Sequence, residues 1–244
     1  MTLRHFFRDD KGNHIELAKR LVSRTRCVVA VPNYRLSGGE PLHHPEHAKD
    51  VLQFLSFVLT RTGLEDQEVD GTPIMYDASR IYLIGHSCAT HMLTSIFLDS
   101  SAVTPELTPS PSLLRSVRGI IMTEGIYDLD LLLSSFPSYR TWFVEDAFGE
   151  RASYSEISAI RWPLWNEGAH VRWLVVHSPR DSLVDPRQSE AIFDHLTQLY
   201  TAAHLPLSSH VLKNMDTLQW EHDRILLRPE FVNIVGEFVV ISST

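Results

Sequence analysis

Ser87 ends a short apolar run and begins a helical pattern, an arrangement that can present a nucleophilic hydroxyl. The segment reads Gly85-His86-Ser87, and the apolar residues that follow recur at helical spacing: Ala89, Met92, Leu93, Ile96 and Phe97. A tight strand-to-helix turn lifts such a serine off the end of a sheet. The backbone N–H of the next residue, Cys88, then points to the place where an oxyanion forms. We therefore predict Ser87 as a nucleophile and Cys88 as a backbone oxyanion donor.

The motif departs from the usual pattern Gly-x-Ser-x-Gly at its fifth position, which is Ala89. The second glycine lets the helix approach the strand closely, and alanine adds one methyl group there. A chance Gly-x-Ser at a strand end is the alternative interpretation. The strand and the helix on either side of Ser87 distinguish the two.

A serine nucleophile needs a histidine base and an acid that orients it, and after this kind of turn they follow in the order serine, acid, histidine. Asp181 follows a strand pattern over 171–177, in a loop beyond the carboxyl end of that strand, where sites in parallel sheets gather. His222 is the last of thirteen histidines and follows the final candidate strand, 208–213. We predict Asp181 as the acid and His222 as the general base.

Other residues compete for these two roles. Asp128 and Asp185 also lie in loops after predicted strands, so each is an alternative acid. His177 and His210 lie inside strand patterns, where packing or surface roles are more usual than catalysis.

His43, His44 and His47 cluster before a predicted helix and raise the question of a metal site. No cysteine or carboxylate spacing completes a known ligand set around them. Acyl transfer by serine, histidine and an acid also requires no metal. We therefore predict no metal and no cofactor.

The tryptophans concentrate near the predicted site. Residues 128–168 break the alternation of strands and helices with short helical patterns, and we interpret this segment as a cap-like insertion over the sheet instead of a separate domain. Tryptophans are more often core than pocket residues. Their position in the cap or beside His222 nevertheless suits an aromatic substrate, and we predict that the pocket is lined by Trp142, Trp165 and Trp220.

Strand and helix patterns alternate along the rest of the chain. Strands separated by helices imply an α/β fold, with a mostly parallel sheet and helices on both faces. We predict one domain over 1–244. The predicted helices are 14–25, 45–60, one after Ser87, one capped by Asp185, and 231–240, where a strand is the alternative; the predicted strands are 27–31, 80–86, 117–123, 171–177 and 208–213, and the predicted loops are 62–78 and 99–115.

Composition limits the classes of function. The chain has 244 residues, 43% hydrophobic and 21% charged, with a net charge of −8 that argues against a nucleic-acid partner. Its apolar runs are too short to span a bilayer, and its start has no apolar signal-peptide core. Cys27 and Cys88 cannot build a disulfide framework, so we predict free thiols and a cytoplasmic location. We predict a small-molecule substrate; the oligomeric state stays open, a homodimer included.

Several sequence blocks together resemble the kynurenine formamidase (arylformamidase) family of α/β-hydrolases, particularly its fungal members. The resemblance covers most of the chain from about residue 14 onward. It implies an α/β-hydrolase fold, Ser87, Asp181 and His222 as the catalytic residues, and hydrolysis of N-formyl-L-kynurenine to formate and L-kynurenine in tryptophan catabolism. The blocks that carry it are Asn33-Tyr34-Arg35-Leu36-Ser37, Gly85-His86-Ser87, Glu124-Gly125-Ile126-Tyr127-Asp128-Leu129, Phe136-Pro137-Ser138-Tyr139, Val176-His177-Ser178-Pro179-Arg180-Asp181-Ser182-Leu183-Val184 and Glu221-His222-Asp223.

One family element is absent from the sequence. The family has a His-Gly-Gly-x-Trp segment after an early strand, which supplies the second oxyanion donor. The Gly-Gly of this chain, Gly38-Gly39, follows the Asn33–Ser37 block instead of preceding it. We therefore expect the first strands of the family to be missing too, with residues 1–13 as a substitute source of a donor. Three interpretations stay open: a formamidase shortened relative to a functional form, a general carboxylesterase, and a weakly active or inactive pseudo-hydrolase.

Overall fold

The computed structural model describes residues 10–37, 42–61, 63–69 and 72–241. The helices are α1 (Ile15–Thr25), α2 (Glu46–Thr60), α3 (Cys88–Phe97), α4 (Pro111–Ser116), α5 (Leu129–Ser135), α6 (Glu145–Phe148), α7 (Pro186–Ala202), α8 (Leu207–His210) and α9 (Pro229–Ile241), and the strands are β1 (Gly63–Val69), β2 (Thr72–Met75), β3 (Ile81–His86), β4 (Val117–Thr123), β5 (Arg172–Val176) and β6 (Val211–Asn214).

Four parallel strands form the main sheet in the order β3-β4-β5-β6. Their registers place His86 beside Thr123 and Thr123 beside Val176, so the strands end at one edge. β4 is central, and six of its seven residues are buried. The α/β class with a mostly parallel sheet is confirmed.

Helices cover both faces of this sheet. Neighbouring residues of a strand point to opposite faces, so each strand contributes side chains to both. On one face Ile120 packs with side chains of α2, α3 and α7. On the other face Ile121 packs with side chains of α1 and α9. Each face therefore has its own apolar core.

Ile96 on α3 allows a direct test of this packing, because it is fully buried whereas Ile15 on α1 is 53% exposed. Ile96→Ala leaves a cavity against the sheet, and we expect it to lower the free energy of unfolding by about 2–5 kcal/mol. Ile15→Ala is the matched control and should change it by about 0.5 kcal/mol or less. Urea denaturation followed by circular dichroism measures both. Equal losses would contradict this assignment of the core.

The strand predicted over 27–31 is wrong. This segment has no regular secondary structure and pairs with no strand among the described residues, and Val28 is 47% exposed. A β-branched run becomes a strand only where a neighbouring edge satisfies its backbone groups. Within the described part of the chain, β3 is an edge strand of the main sheet.

The loop predicted over 62–78 is also wrong, because β1 and β2 pair there as an antiparallel hairpin. The loop predicted over 99–115 contains the start of α4, where Pro111 follows the capping residue Ser110. The last predicted strand begins three residues later than expected, since 207–210 form the turn α8. The ambiguous segment 231–240 is helical and belongs to α9.

The helix predicted over 14–25 is confirmed as α1, and that over 45–60 as α2. Between β4 and β5 the chain forms short helical pieces: α5, a π-helical turn at Arg140–Val144, α6, and 3₁₀ turns at Ser155–Ile157 and Ala159–Arg161. Among the described helices, none is long and apolar enough to cross a bilayer.

Candidate active site

Ser87 lies on a strained turn between β3 and α3. Its φ is 54° and its ψ is −124°, a conformation that costs a non-glycine residue about 1–3 kcal/mol. Its N–H donates to the carbonyl of Thr123 at 2.9 Å. The residue is fully buried, and its Oγ has no hydrogen-bond partner within the described part of the chain. Observed strain of this kind at a fixed hydroxyl points to a functional position.

The strand and the helix on either side of Ser87 are confirmed. Helix α3 lies close to β3 at Gly85. A Cβ at this position would lie 2.9 Å from Leu93 Cδ1 and 3.1 Å from the Thr90 nitrogen. Ala89 is only partly buried. The methyl group at the fifth position is therefore accommodated without the second glycine.

His222 and Asp181 meet at the same edge of the sheet. His222 Nδ1 donates to Asp181 Oδ2 at 2.7 Å, and both side chains are almost completely buried. Asp181 Oδ1 accepts from the backbone N–H groups of Leu183 and Val184, at 2.8 and 3.1 Å. These bonds hold the carboxylate and fix the tautomer of the imidazole. His222 Nε2 has no hydrogen-bond partner among the described residues.

His86 is next to Ser87 in the chain and lies near His222 in space. Its ring centroid lies 4.5 Å from that of His222, and Ser87 is the next residue. Ser87 Oγ and His222 Nε2 form no hydrogen bond with each other. Catalytic hydrogen bonds are often long before a substrate is bound and tighten in the complex. The structure thus brings the three predicted residues to one edge of the sheet.

Glu124 is a fourth group at this site, and we assigned it no role from the sequence. It follows β4 with a φ of 48°, and its side chain is fully buried. Glu124 Oε2 lies 3.3 Å from His222 Nδ1, and Oε1 accepts from the Ser178 N–H at 3.3 Å. Burial, followed by the charge of Asp181, raises the pKa of Glu124 to about 10. Glu124 directly follows β4, and Asp181 lies in the loop after the neighbouring strand β5. This position was the signal available in the sequence.

The competing residues have other partners. Asp128 accepts from the Leu131 N–H and caps α5, and Asp185 accepts from the Arg187 N–H and caps α7. His177 Nδ1 lies 2.9 Å from Ser189 Oγ, and burial lowers the pKa of the His177 imidazole. His210 is the remaining alternative base, and its Nδ1 lies 2.8 Å from a backbone carbonyl of its own turn.

Two groupings bear on cation binding. His86, Glu124 and His222 place ligand atoms within 4.8 Å of one another, so these residues could hold a metal ion. His43 and His47 have separate partners: His43 Nδ1 lies 3.1 Å from the Asp146 carbonyl, and His47 Nε2 lies 2.9 Å from a serine hydroxyl. Among the described residues, the histidines at 43–47 do not form a group that could hold a metal ion.

The three predicted pocket tryptophans occupy different places. Trp220 is 42% exposed, and its carbonyl accepts from Ser178 Oγ at 2.6 Å, so it lies beside the site. Trp142 is 37% exposed and packs edge-on against Tyr139, whose hydroxyl donates to the Leu183 carbonyl.

Trp165 lies apart from the predicted catalytic residues. Its indole N–H donates to the carbonyl of Ile96 at 2.9 Å. Ile96 is near the end of α3, whereas Ser87 precedes its start, a separation of about 13 Å along the helix axis. The structure therefore gives Trp165 a packing contact and does not bring it together with Ser87.

Cys88 is the first residue of α3 and is buried. Amide groups in the first turn of a helix point out along its axis, where they can stabilise an anion. Of the proposed substitute donors, Lys11 N–H donates to Asn33 Oδ1 and Gly12 N–H to Asp10 Oδ1. Both of those amides are therefore already engaged. Residues 1–9 and Gly38-Gly39 lie outside the described residues.

Comparison with known proteins places this geometry among hydrolases. The chain is 30% identical over 227 residues to a kynurenine formamidase of Aspergillus versicolor, covering 83% of this chain and 71% of that protein. It is 24% identical over 243 residues to a kynurenine formamidase of Scheffersomyces stipitis, covering 85% and 82%. An acetyl ester-xyloside bifunctional hydrolase from Caldicellulosiruptor lactoaceticus superposes with a TM-score of 0.62 at 15% identity, over 96% of this chain and 78% of that one. No family model matches the chain.

Proposed function

The chain belongs to the kynurenine formamidase family of α/β-hydrolases, and on that premise we propose that it hydrolyses N-formyl-L-kynurenine with Ser87 as the nucleophile. The products are formate and L-kynurenine, as in tryptophan catabolism. The observation that carries the proposal is the 2.7 Å contact between His222 Nδ1 and the buried Asp181, at the sheet edge that also holds the strained turn of Ser87. This is the layout of a nucleophile, a base and an orienting acid.

The mechanism proceeds in two halves. Ser87 Oγ attacks the formyl carbon while His222 Nε2 accepts its proton, and the resulting oxyanion lies against the Cys88 N–H. His222 returns the proton to the aniline nitrogen as the C–N bond breaks, leaving a formyl ester on Ser87. Water, deprotonated by His222, then hydrolyses this ester and releases formate. Asp181 stabilises the imidazolium in both halves.

We propose the Cys88 N–H, at the start of α3, as the oxyanion donor of this turn. Removing one donor from an oxyanion hole costs about 10²–10³ in turnover. A site with Cys88 alone would thus be a slow enzyme instead of an inert one.

We propose that the site takes a small acyl group with a large aromatic leaving group. We assign the pocket to Trp220 and Trp142, and we give Trp165 a packing role, because it contacts the far part of α3. We further propose that 128–168 is a cap-like insertion within one domain spanning 1–244. A cytoplasmic location and a homodimer stay predictions from the sequence.

A paired assay tests the substrate assignment. We expect kcat/KM for N-formyl-L-kynurenine to exceed that for p-nitrophenyl acetate by about tenfold or more, because a pocket built for one leaving group discriminates in the transition state. Ser87→Ala protein serves as the blank for spontaneous hydrolysis. A preference for the ester would identify a general carboxylesterase. Turnover of neither substrate above the blank would support the pseudo-hydrolase interpretation.

A further inference from the structure

Two side chains beside His222 have no role in the mechanism above. His86 is the last residue of β3, and Glu124 directly follows the neighbouring strand β4. One ring nitrogen of each histidine and one carboxylate oxygen of Glu124 lie within 4.8 Å of one another. The side chains of Glu124 and His222 are almost completely buried. Two imidazoles and a carboxylate therefore converge where parallel strands end.

The spacing of these three atoms suits a transition-metal cation. A point among three atoms that are at most 4.8 Å apart lies at most about 2.8 Å from each, whereas bonds from Zn²⁺ to nitrogen and oxygen are about 2.0–2.2 Å. Each ligand atom would thus move by less than about 1 Å to reach the cation. Zn²⁺ favours two imidazoles and a carboxylate, whereas Mg²⁺ and Ca²⁺ favour oxygen ligands. The donor set therefore indicates a transition metal instead of a hard cation.

The carboxyl group of Glu124 gives a second, independent indication of a ligand. Its Oε1 accepts from the Ser178 N–H at 3.3 Å, but its Oε2 has no hydrogen-bond partner within the described residues. Oε2 lies 3.3 Å from His222 Nδ1, and that nitrogen lies closer to Asp181, at 2.7 Å. A buried carboxyl oxygen needs a hydrogen-bond donor or a cation. A metal ion at this place would satisfy Oε2.

The backbone fixes Glu124 in its position. Its φ of 48° is unfavourable for a residue with a side chain, and its N–H donates to the Val176 carbonyl at 2.9 Å. The next residue, Gly125, leaves no room for a Cβ, which would collide with Thr90 Oγ1 and the Tyr127 hydroxyl. The turn after β4 thus holds the carboxyl beside His222 at a cost in strain, which is typical of functional positions.

Asp223 extends the group toward solvent. Its Oδ1 lies 3.5 Å from His86 Nε2. The side chain of Asp223 is 18% exposed and that of His86 is 9% exposed, whereas the side chain of Glu124 is fully buried. A cation that approaches from the Asp223 side therefore meets a carboxylate first. A carboxylate beside a ligating imidazole also orients the ring.

We propose that His86, Glu124 and His222 form an inhibitory site for a divalent transition-metal cation such as Zn²⁺. The cation binds one nitrogen of each imidazole and Oε2 of Glu124, and any proton on these atoms leaves to solvent. A cation on Nε2 of His222 takes the lone pair that accepts the proton of Ser87, and a cation on Nδ1 displaces Asp181. Either contact stops the base. The inhibition rests on the proposed function of His222, whereas the binding does not.

Binding of Co²⁺ tests the site without a measurement of activity. Co²⁺ accepts the ligands of Zn²⁺ and gives a visible absorption band when protein side chains bind it. We expect this band from the folded native chain, and we expect Zn²⁺ to remove it by displacement. Glu124→Gln and His86→Gln should each weaken the affinity for Co²⁺ by about 10–100-fold or more, since loss of a mere outer-shell partner already costs that much. Circular dichroism checks that each variant is folded.

His43→Gln is the matched control. His43 is exposed, and its Nδ1 lies 3.1 Å from the Asp146 carbonyl, so it stands for the surface histidines that bind metals weakly. This variant should bind Co²⁺ as the native chain does. Equal affinities in the native chain, Glu124→Gln and His86→Gln, or no band from the folded native chain, would overturn the proposal. Loss of the band in His43→Gln would place the cation elsewhere and would also overturn it.

Inhibition is measured separately, with N-formyl-L-kynurenine as the substrate. Zn²⁺ should inhibit the native chain, a chelator should restore its rate, and Mg²⁺ at the same concentration should have no effect. His86→Gln, compared with its own metal-free rate, should need at least about tenfold more Zn²⁺ for half inhibition. An active native chain that binds Co²⁺ at this site but is not inhibited by Zn²⁺ would overturn the inhibitory role. Failure of the proposed function would instead appear as a metal-free rate equal to that of Ser87→Ala, with Co²⁺ binding kept.

Discussion

Ser87→Ala should lower formate release by about 10⁴-fold or more, while circular dichroism and the thermal midpoint stay close to those of the native chain. The hydroxyl oxygen is the atom that forms the formyl ester, so its removal stops the reaction at the first step. The backbone turn stays, because alanine faces the same strain at a φ of 54°. Formate can be followed with a coupled formate dehydrogenase assay.

Ser56→Ala is the matched control for this substitution. Ser56 is exposed on α2, and its Oγ donates to the Leu52 carbonyl at 2.8 Å. Its loss should leave kcat/KM within about twofold and stability within about 0.5 kcal/mol. Formate release by the Ser87→Ala protein at the native rate would show that another group attacks the substrate.

The second large effect is expected at His222. His222→Asn removes the imidazole that contacts the carboxylate of Asp181 and that we propose as the base, and we expect kcat to fall by about 10⁴–10⁶-fold. Effects within a triad are strongly non-additive, so the double variant with Ser87→Ala should be no slower than either single variant. A steady-state assay on N-formyl-L-kynurenine measures all three proteins.

His210→Asn is the control, because His210 was a competing candidate and its ring contacts its own turn and the ring of Tyr200. We expect this variant to keep the native kcat/KM within about twofold. The assignment of the base would be wrong if His222→Asn kept most of the activity or if His210→Asn lost it.

The sequence was sufficient to predict the strand, turn and helix around Ser87, because their signal is local. An apolar run, Gly85 and a helical stripe of apolar residues predict a strand, a turn and a helix without knowledge of the rest of the fold. The order of Ser87, Asp181 and His222 added the two partners, since each follows a strand pattern and parallel strands end at one edge. The structure brings these residues to that edge.

The errors come from features that depend on pairing and packing partners. The run 27–31 has strand composition, but pairing decides whether it joins a sheet, and the described residues provide no partner. The hairpin of β1 and β2 forms from a polar segment without clear alternation. Trp165 was assigned to the pocket from its place in the sequence, whereas its indole bonds to Ile96. Strand pairing or its absence decides the first two cases, and a distant contact decides the third.

Glu124 shows a different limit of prediction from the sequence. The sequence places it directly after the central strand β4, at the edge where Asp181 and His222 also lie. Its raised pKa depends on burial and on the charge of Asp181, neither of which periodicity reveals.

Labelling with a fluorophosphonate, followed by peptide mass spectrometry, tests the central claim most directly. The probe forms a stable adduct only with a serine that a nearby base activates. We expect one adduct per chain, on Ser87, formed by the folded protein, much slower in His222→Asn and absent after unfolding. A folded protein that takes up no probe, or that carries it on another serine such as Ser178, would contradict the account.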